Sequence, residues 1–437
     1  MIATALVSCV LVLGPQSPDD SASNDPFERR TLSNGVQLCV LRVDAPRQAI
    51  FTFLPIGLYD DRPGEAQFSH LIEHMLIRGT DPDGLEVGGI RINGETTGDA
   101  LRLETIGPVE TWRDAAARHP RWLLERTFEA DVLEREKGRI EGEERGTAAN
   151  SATGKWAQAA WSQIVRADLE HAAVHGDVAE ADVEGLRAAV AARVHLGAGV
   201  RIVASGPVTL DELARALEQG FASAPEAVPA SAAAGALESP AHLFRPGLRE
   251  ASWDLDAAHY MEWYPLPDAS AHDSAFALLL ENRVTMALMG AGHEALKGGR
   301  ALAETRLRTA GARALMISVP VAEDVDLEAL QAAIRAQLEP LRAEGAHQTL
   351  ALAKMQYAFQ LSAAPDFAAL RERFAGSPAA DTIEAQTALT WSMLELSSGL
   401  SLPELHAALN SLELAAYGPV LTEALAEGKR CALMLAP

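Results

Sequence analysis

His70, Glu73 and His74, in the run Phe68-Ser-His-Leu-Ile-Glu-His-Met-Leu-Ile-Arg-Gly-Thr80, stand at i, i+3 and i+4. On a helix this spacing projects two imidazoles and a carboxylate from one side, within reach of a single ion. Zinc accepts that nitrogen and oxygen chemistry. The order H-x-x-E-H reverses the common H-E-x-x-H of zinc peptidases, and a carboxylate beside such a metal can serve as general base toward water. The competing reading is a histidine-bearing helix with a chance neighbouring glutamate. A pattern of this length arises by accident in roughly a few per cent of such sequences, so its setting has to carry the remaining weight.

The element that must position these side chains is itself legible. Phe68, Leu71, Ile72, Met75 and Leu76 recur at helical spacing and predict a buried face, with Gly79 as a C-terminal cap. Upstream, Gly35–Arg42 and Ala49–Leu54 read as strands by their β-branched and aromatic content. Downstream, one long helical tract is expected from Trp112 to about Arg145, then a buried strand over Gly199–Gly206 and an amphipathic helix over Leu210–Phe221. The residues of 222–247 are dominated by Ala, Pro and Ser and read as a linker. A second unit starting near Leu248 repeats the theme, with strands at Ala314–Val321 and Cys431–Ala436 and Ala/Leu-rich helices between them. The expected division is 1–25 as signal and tether, 26–221 as a zinc-binding peptidase domain, 222–247 as linker and 248–437 as a C-terminal domain that encloses substrate or dimerises.

Around the five-residue pattern the chain resembles the inverted-zinc metallopeptidases that include pitrilysin, insulin-degrading enzyme and the mitochondrial processing peptidase. Gly57–Gly79 is similar to that family's zinc-helix region, Asn93-Gly-Glu-Thr-Thr-Gly-Asp99 with Leu101-Arg-Leu-Glu104 to the strand that follows, and Leu133–Arg145 to its distal glutamate helix. His171–Asp177 and Val194–Val208 match later parts of the same domain, and the likeness thins after about residue 220. The resemblance implies an α+β fold of two tandem related roll domains, each an antiparallel sheet packed with helices, in a half-size chain of the pitrilysin type. It also implies Zn2+ held by His70, His74 and a distal glutamate, with Glu73 as catalytic base. The family's two glutamates seven residues apart fit Glu143 as third ligand and Glu136 as the residue that orients a ligand, although Glu134, Glu141 and Glu144 crowd the same helix. Gly138 and Gly142 weaken that helix, a cost that makes sense if its backbone approaches the zinc helix closely. Asn93 is the candidate substrate-binding residue, with Thr96 beside it, on an edge strand that pairs with an extended peptide; a plain turn leading into a strand explains both equally well.

The second half departs from the family. Relatives carry an arginine and a tyrosine that hold the substrate backbone, whereas Ala314 stands where the tyrosine falls and Arg306 or Arg308 fits the arginine poorly. The expected function is a zinc-dependent endopeptidase or oligopeptidase. The alternative is a non-catalytic substrate-binding or assembly subunit of a pitrilysin-type heterodimer. Single-chain relatives are about twice as long, so the resemblance implies a homodimer or a heterodimer with another half-size subunit, acting on a peptide or small protein.

Composition sets outer limits. With 37 Lys and Arg against 60 Asp and Glu, the formal charge of −23 repels phosphate backbones and anionic lipid, which argues against nucleic acid as partner. Cys9, Cys39 and Cys431 are too few for a disulfide framework, and the latter two lie in apolar strand-like runs as expected core residues. Met1–Leu13 has the length of a signal-peptide apolar region and is too short to span a bilayer, which predicts export to the periplasm or the extracellular space without a transmembrane anchor. No Lys or Arg precedes it, an atypical feature, and Leu6-Val-Ser-Cys9 leaves too little apolar length for a lipoprotein signal.

Overall fold

The structure, a computed structural model, describes residues 25–57, 61, 65, 67–80, 86–97, 100–126, 128–146, 177–197, 199–223, 246–252, 258–290, 300–302, 313–321, 325–343, 345–362, 365–377 and 379–436. All but Asp25 of the expected signal and tether (1–25), most of the expected linker (224–245 of 222–247), all but Asp177 of the family-like segment His171–Asp177, Arg306 and Arg308 lie outside these residues.

The first sheet is built from β1 (Glu28–Thr31), β2 (Gln37–Arg42), β3 (Arg47–Leu54), β4 (Glu86–Val87), β5 (Ile90–Thr96), β6 (Leu101–Pro108) and β7 (Arg201–Gly206), in the order β1-β2-β7-β3-β6-β5-β4. Strands β3 and β7 are buried along nearly their whole length, as befits central strands covered on both faces. Among the described strands of this sheet only β2 and β7 pair in parallel. The accompanying helices are α1 (Phe68–Arg78), α2 (Trp112–Leu124), α3 (Ala130–Gly146), α4 (Val183–Arg193) and α5 (Leu210–Gly220). Thr209 and Glu212 form a reciprocal capping box at the start of α5, satisfying backbone donors that the first turn leaves free.

The single helix expected from Trp112 to about Arg145 is in fact two. Glu125 leaves helical geometry at φ −82°, ψ 64°. Arg126 explains the stop: its guanidinium donates to the Leu123 carbonyl at 3.1 Å and to the Val194 carbonyl at 2.8 Å, so a side chain satisfies the last turn and ties it to the segment after α4.

The second sheet comprises β8 (Gly247–Ser252), β9 (Ala258–Leu266), β10 (Arg300–Leu302), β11 (Arg313–Val321) and β12 (Cys431–Ala436), ordered β10-β11-β9-β12-β8. It repeats the plan of the first. β12 lies parallel to β8 and antiparallel to β9, as β7 lies parallel to β2 and antiparallel to β3, and the next two strands outward are antiparallel in both sheets. The mixed α+β class with sheets packed on helices is thus as the sequence implied. Strand β9 was not legible there. It is buried along almost its whole length and encloses Glu262, whose carboxylate accepts from Tyr260 Oη at 2.5 Å and Tyr264 Oη at 2.7 Å. Burial pushes the Glu262 carboxyl above the usual carboxylate range despite those donors and Arg430.

The chain packs into two compact units. One comprises Met1–Glu141, Gly176–Gly235 and Ala363–Leu394; the other comprises Gly142–His175, Ala236–Ser362 and Glu395–Pro437. The excursion of 363–394 into the first unit is anchored by Trp391, edge-on to Phe27 at 6.1 Å, and by Arg371, which donates to the Asp44 carbonyl at 2.9 Å. Cys39 and Cys431 are buried thiols outside any disulfide, as expected of core residues. Among the described residues no helix is long and apolar enough to cross a membrane.

Candidate metal centre

Helix α1 forms because its apolar residues have somewhere to go. Leu71, Ile72, Met75 and Leu76 are 0–1% exposed, and each such side chain contributes roughly 1.5–3 kcal/mol on burial. Its first turn is held from outside the helix. Gln67 precedes it in the left-handed region at φ 63°, a conformation that costs a non-glycine residue of order 1 kcal/mol and persists only when its surroundings impose it. Asp61 supplies part of that imposition: its Oδ1 accepts from the Ser69 N–H at 2.9 Å, from Ser69 Oγ at 2.7 Å and from Arg193 at 3.0 Å, while Ser69 Oγ also reaches the Gly57 carbonyl. Arg193 bonds Glu65 as well. At the other end Gly79 occupies the cap position, yet its backbone is right-handed (φ −63°), so the terminus does not draw on glycine's left-handed freedom.

The imidazoles of His70 and His74 meet edge to face with ring centroids 4.8 Å apart. Glu143, from the last turns of α3, joins them: one ligand atom from each of the three side chains lies within 4.8 Å of the others. Glu143 rather than Glu141 therefore closes the group, while Glu134 is paired with Lys137 at 2.7 Å and the Glu144 side chain lies outside the described residues. Two turns earlier on α3, Glu136 is 1% exposed and its Oε2 accepts from His74 Nδ1 at 3.0 Å; Arg139 bonds the other oxygen. A carboxylate on Nδ1 fixes the imidazole tautomer and leaves Nε2 as the electron-pair donor. The expectation that Gly138 and Gly142 mark a close approach of α3 to α1 is not met. A Cβ at either position would find nothing within 4 Å, so both glycines face open space.

Glu73 is buried and points at β5. Thr96 Oγ1 donates to its Oε2 at 3.0 Å. Asn93 lies on the same strand but, by the alternation of side chains, on the face opposite Gly94 and Thr96, in register with Glu104. It does not join the His70, Glu73 and His74 group. The residues that sequence reasoning missed are Asp61 and Arg193, whose only signal was an acidic pair placed shortly before a helix start.

Two imidazoles and a carboxylate suit a borderline divalent ion, and tetrahedral zinc bonds of about 2.0–2.2 Å place ligand atoms roughly 3.4 Å apart. A group already within 4.8 Å needs only small side-chain rotations to reach that spacing, so the residues fit a zinc ion.

Neither protein-family models nor curated proteins match the sequence. Solved structures do. A protease from Helicobacter pylori superposes with a TM-score of 0.64 at 15% identity over 94% of this chain and 99% of that one. The peptidase M16 inactive domain from Pseudomonas fluorescens gives 0.59 at 14% over 94% and 98%, and pitrilysin gives 0.59 at 15% over 96% of this chain and 46% of its own. At such identities these likenesses show the fold alone, and that fold is the half-size architecture of the M16-type peptidases.

Proposed function

We propose that this protein is a zinc-dependent endopeptidase or oligopeptidase. The observation that carries the reading is the convergence of His70, His74 and Glu143 beside a buried glutamate on the same helix, Glu73. His70, His74 and Glu143 would hold a zinc ion, which would supply Lewis acidity toward a carbonyl and lower the pKa of water to about 7. Glu136 holds His74 in the ligating tautomer through Nδ1. Glu73 takes the proton of the attacking water and delivers it to the departing amine. Among the described residues β4 covers only Ile90 and Arg91 of the outer edge of β5, and the rest of that edge would suit an extended peptide recognised through its backbone.

The second reading, a non-catalytic binding or assembly subunit, is favoured by two observations, the first being that the fold is as similar to an inactive M16 domain as to pitrilysin, each at a TM-score of 0.59. Ala314, buried in β11, also offers no hydroxyl where relatives have a tyrosine. The retained metal group weighs against it. Assembly with a second half-size subunit belongs to the same proposal, since the chain spans 46% of pitrilysin. Metal quantification on purified protein, with a quenched-fluorescent peptide assay before and after chelation, tests the function. One zinc per chain and chelator-sensitive cleavage, abolished in Glu73→Gln without loss of zinc, is the expected result. Stoichiometric zinc with no cleavage, even when candidate partner subunits are added, would favour the binding subunit, and an active Glu73→Gln enzyme would overturn the role of Glu73.

A further inference from the structure

The carboxylate of Glu73 occupies space that any side chain at position 94 would fill. A Cβ built on Gly94 would lie 2.1 Å from Glu73 Oε1, 2.6 Å from its Cδ and 2.8 Å from its Cγ, all well inside contact distance. The backbone gives no other reason for glycine, because Gly94 is not among the residues with left-handed φ, and glycine within a strand costs stability. Two residues on, and therefore on the same face of β5, Thr96 Oγ1 donates to the second oxygen, Oε2, at 3.0 Å. Strand β5 is fixed in register by β6, with Gly94 opposite Leu103 and Thr96 opposite Leu101, both fully buried. One carboxylate oxygen is thus admitted by a missing side chain and the other is held by a hydroxyl, on a strand that cannot slip without moving core residues.

We propose that Gly94 and Thr96 are positioning residues that form a seat for the Glu73 carboxylate, an inference that rests on the peptidase reading. The seat takes up the torsional freedom of a long acidic side chain before substrate arrives. A misplacement of about 1 Å in such a group costs roughly 100-fold in rate. The pattern Asn93-Gly94-Glu95-Thr96 is then read by its even members, which face Glu73, rather than by Asn93.

The test uses the zinc-loaded full chain as wild type, Gly94→Ala, Thr96→Val and Thr96→Ser, assayed for kcat, KM, zinc stoichiometry and thermal unfolding, with crystal structures of wild type and Gly94→Ala. Gly94→Ala is expected to lower kcat about 100-fold while KM, zinc content and melting temperature hold, since only the placement of the base changes. Thr96→Val should lower kcat about tenfold and Thr96→Ser should restore it, because serine keeps the hydroxyl that a merely structural role would not require. In the Gly94→Ala crystal the carboxylate should be displaced by about 1 Å, the distance needed to relieve a 2.1 Å approach. An unmoved carboxylate, a wild-type kcat in Gly94→Ala, or equal rates for Thr96→Val and Thr96→Ser would overturn the seat. If wild type binds zinc and cleaves nothing, the peptidase reading fails, and the crystallographic displacement alone decides the seat.

Discussion

Exchanging Glu136 for glutamine asks whether a buried carboxylate sets the tautomer of a metal-binding imidazole. Both oxygens of Glu136 face donors, Oε2 the Nδ1 of His74 at 3.0 Å and Oε1 the guanidinium of Arg139, and the side chain is 1% exposed. A glutamine has one oxygen and one NH2, so one of these donors must then face another donor. If the oxygen stays with Arg139, His74 can satisfy the NH2 only by accepting at Nδ1, which moves its proton to Nε2 and removes the lone pair that a metal needs. Loss of such a supporting carboxylate costs 10–100-fold in metal affinity, or about 1.4–2.8 kcal/mol at 1.4 kcal/mol per tenfold. Competition titration of zinc against a chromophoric chelator at fixed pH measures it directly, with thermal unfolding of the metal-free protein as a check on folding. Zinc affinity of Glu136→Gln within twofold of wild type, in a folded protein, would refute the reasoning.

Three further outcomes follow from other parts of the molecule. Asp61→Asn leaves the Arg193 guanidinium, whose side chain is 7% exposed, without its buried counter-charge and should destabilise the protein by about 3 kcal/mol in urea unfolding, the low end for a broken buried pair because Glu65 remains; a loss below about 1 kcal/mol would show that α1 does not need this clamp. His119, wedged between Thr52 Oγ1 at 2.7 Å and Thr105 Oγ1 at 3.1 Å, has its pKa lowered from 6.5 to about 3 by burial and then by Arg118. The unfolded chain therefore binds a proton that the folded one refuses between these values, and stability should fall as pH drops below 6.5, by about 1.4 kcal/mol per unit from this group, a slope that His119→Gln should lack when the two proteins are unfolded in parallel at pH 7 and pH 4.5. Gly138→Ala, on an exposed helical position with open space around it, should stabilise the protein by about 0.8–1 kcal/mol with zinc affinity unchanged; any loss of stability would mean that the site is tighter than it looks.

What could be read from the amino acids was whatever depends on spacing within one element. The apolar stripe of α1 and the seven-residue interval between Glu136 and Glu143 were visible because helical periodicity is a local property, and both recur in the structure as a buried face and as two carboxylates near His74. Contacts between distant segments were not visible. Arg193 reaches Asp61 across 132 positions, and nothing in either neighbourhood announces the other. The stop at Glu125 was missed for the same reason, since it depends on Arg126 finding a carbonyl at Val194. Strand β9 was hidden by its burial on both faces, which erases the alternation that marks a half-exposed strand, and by Glu262, a residue whose charge argues for a surface until its two tyrosine partners are known. Asn93 was singled out by likeness to a motif, whereas its facing is fixed by pairing with β6.

The placement of β12 bears on how the second sheet can come into being on the ribosome. Among the described residues β8 pairs with the rest of that sheet only through β12, although some 180 residues separate their syntheses. Until Cys431–Ala436 has emerged from the exit tunnel, β8 lacks the strand it pairs with among the described residues and β9 lacks its pairing on that edge. Holdase chaperones that mask such an edge should therefore matter more for this half than for the first, whose inserted strand, β7, arrives by residue 206.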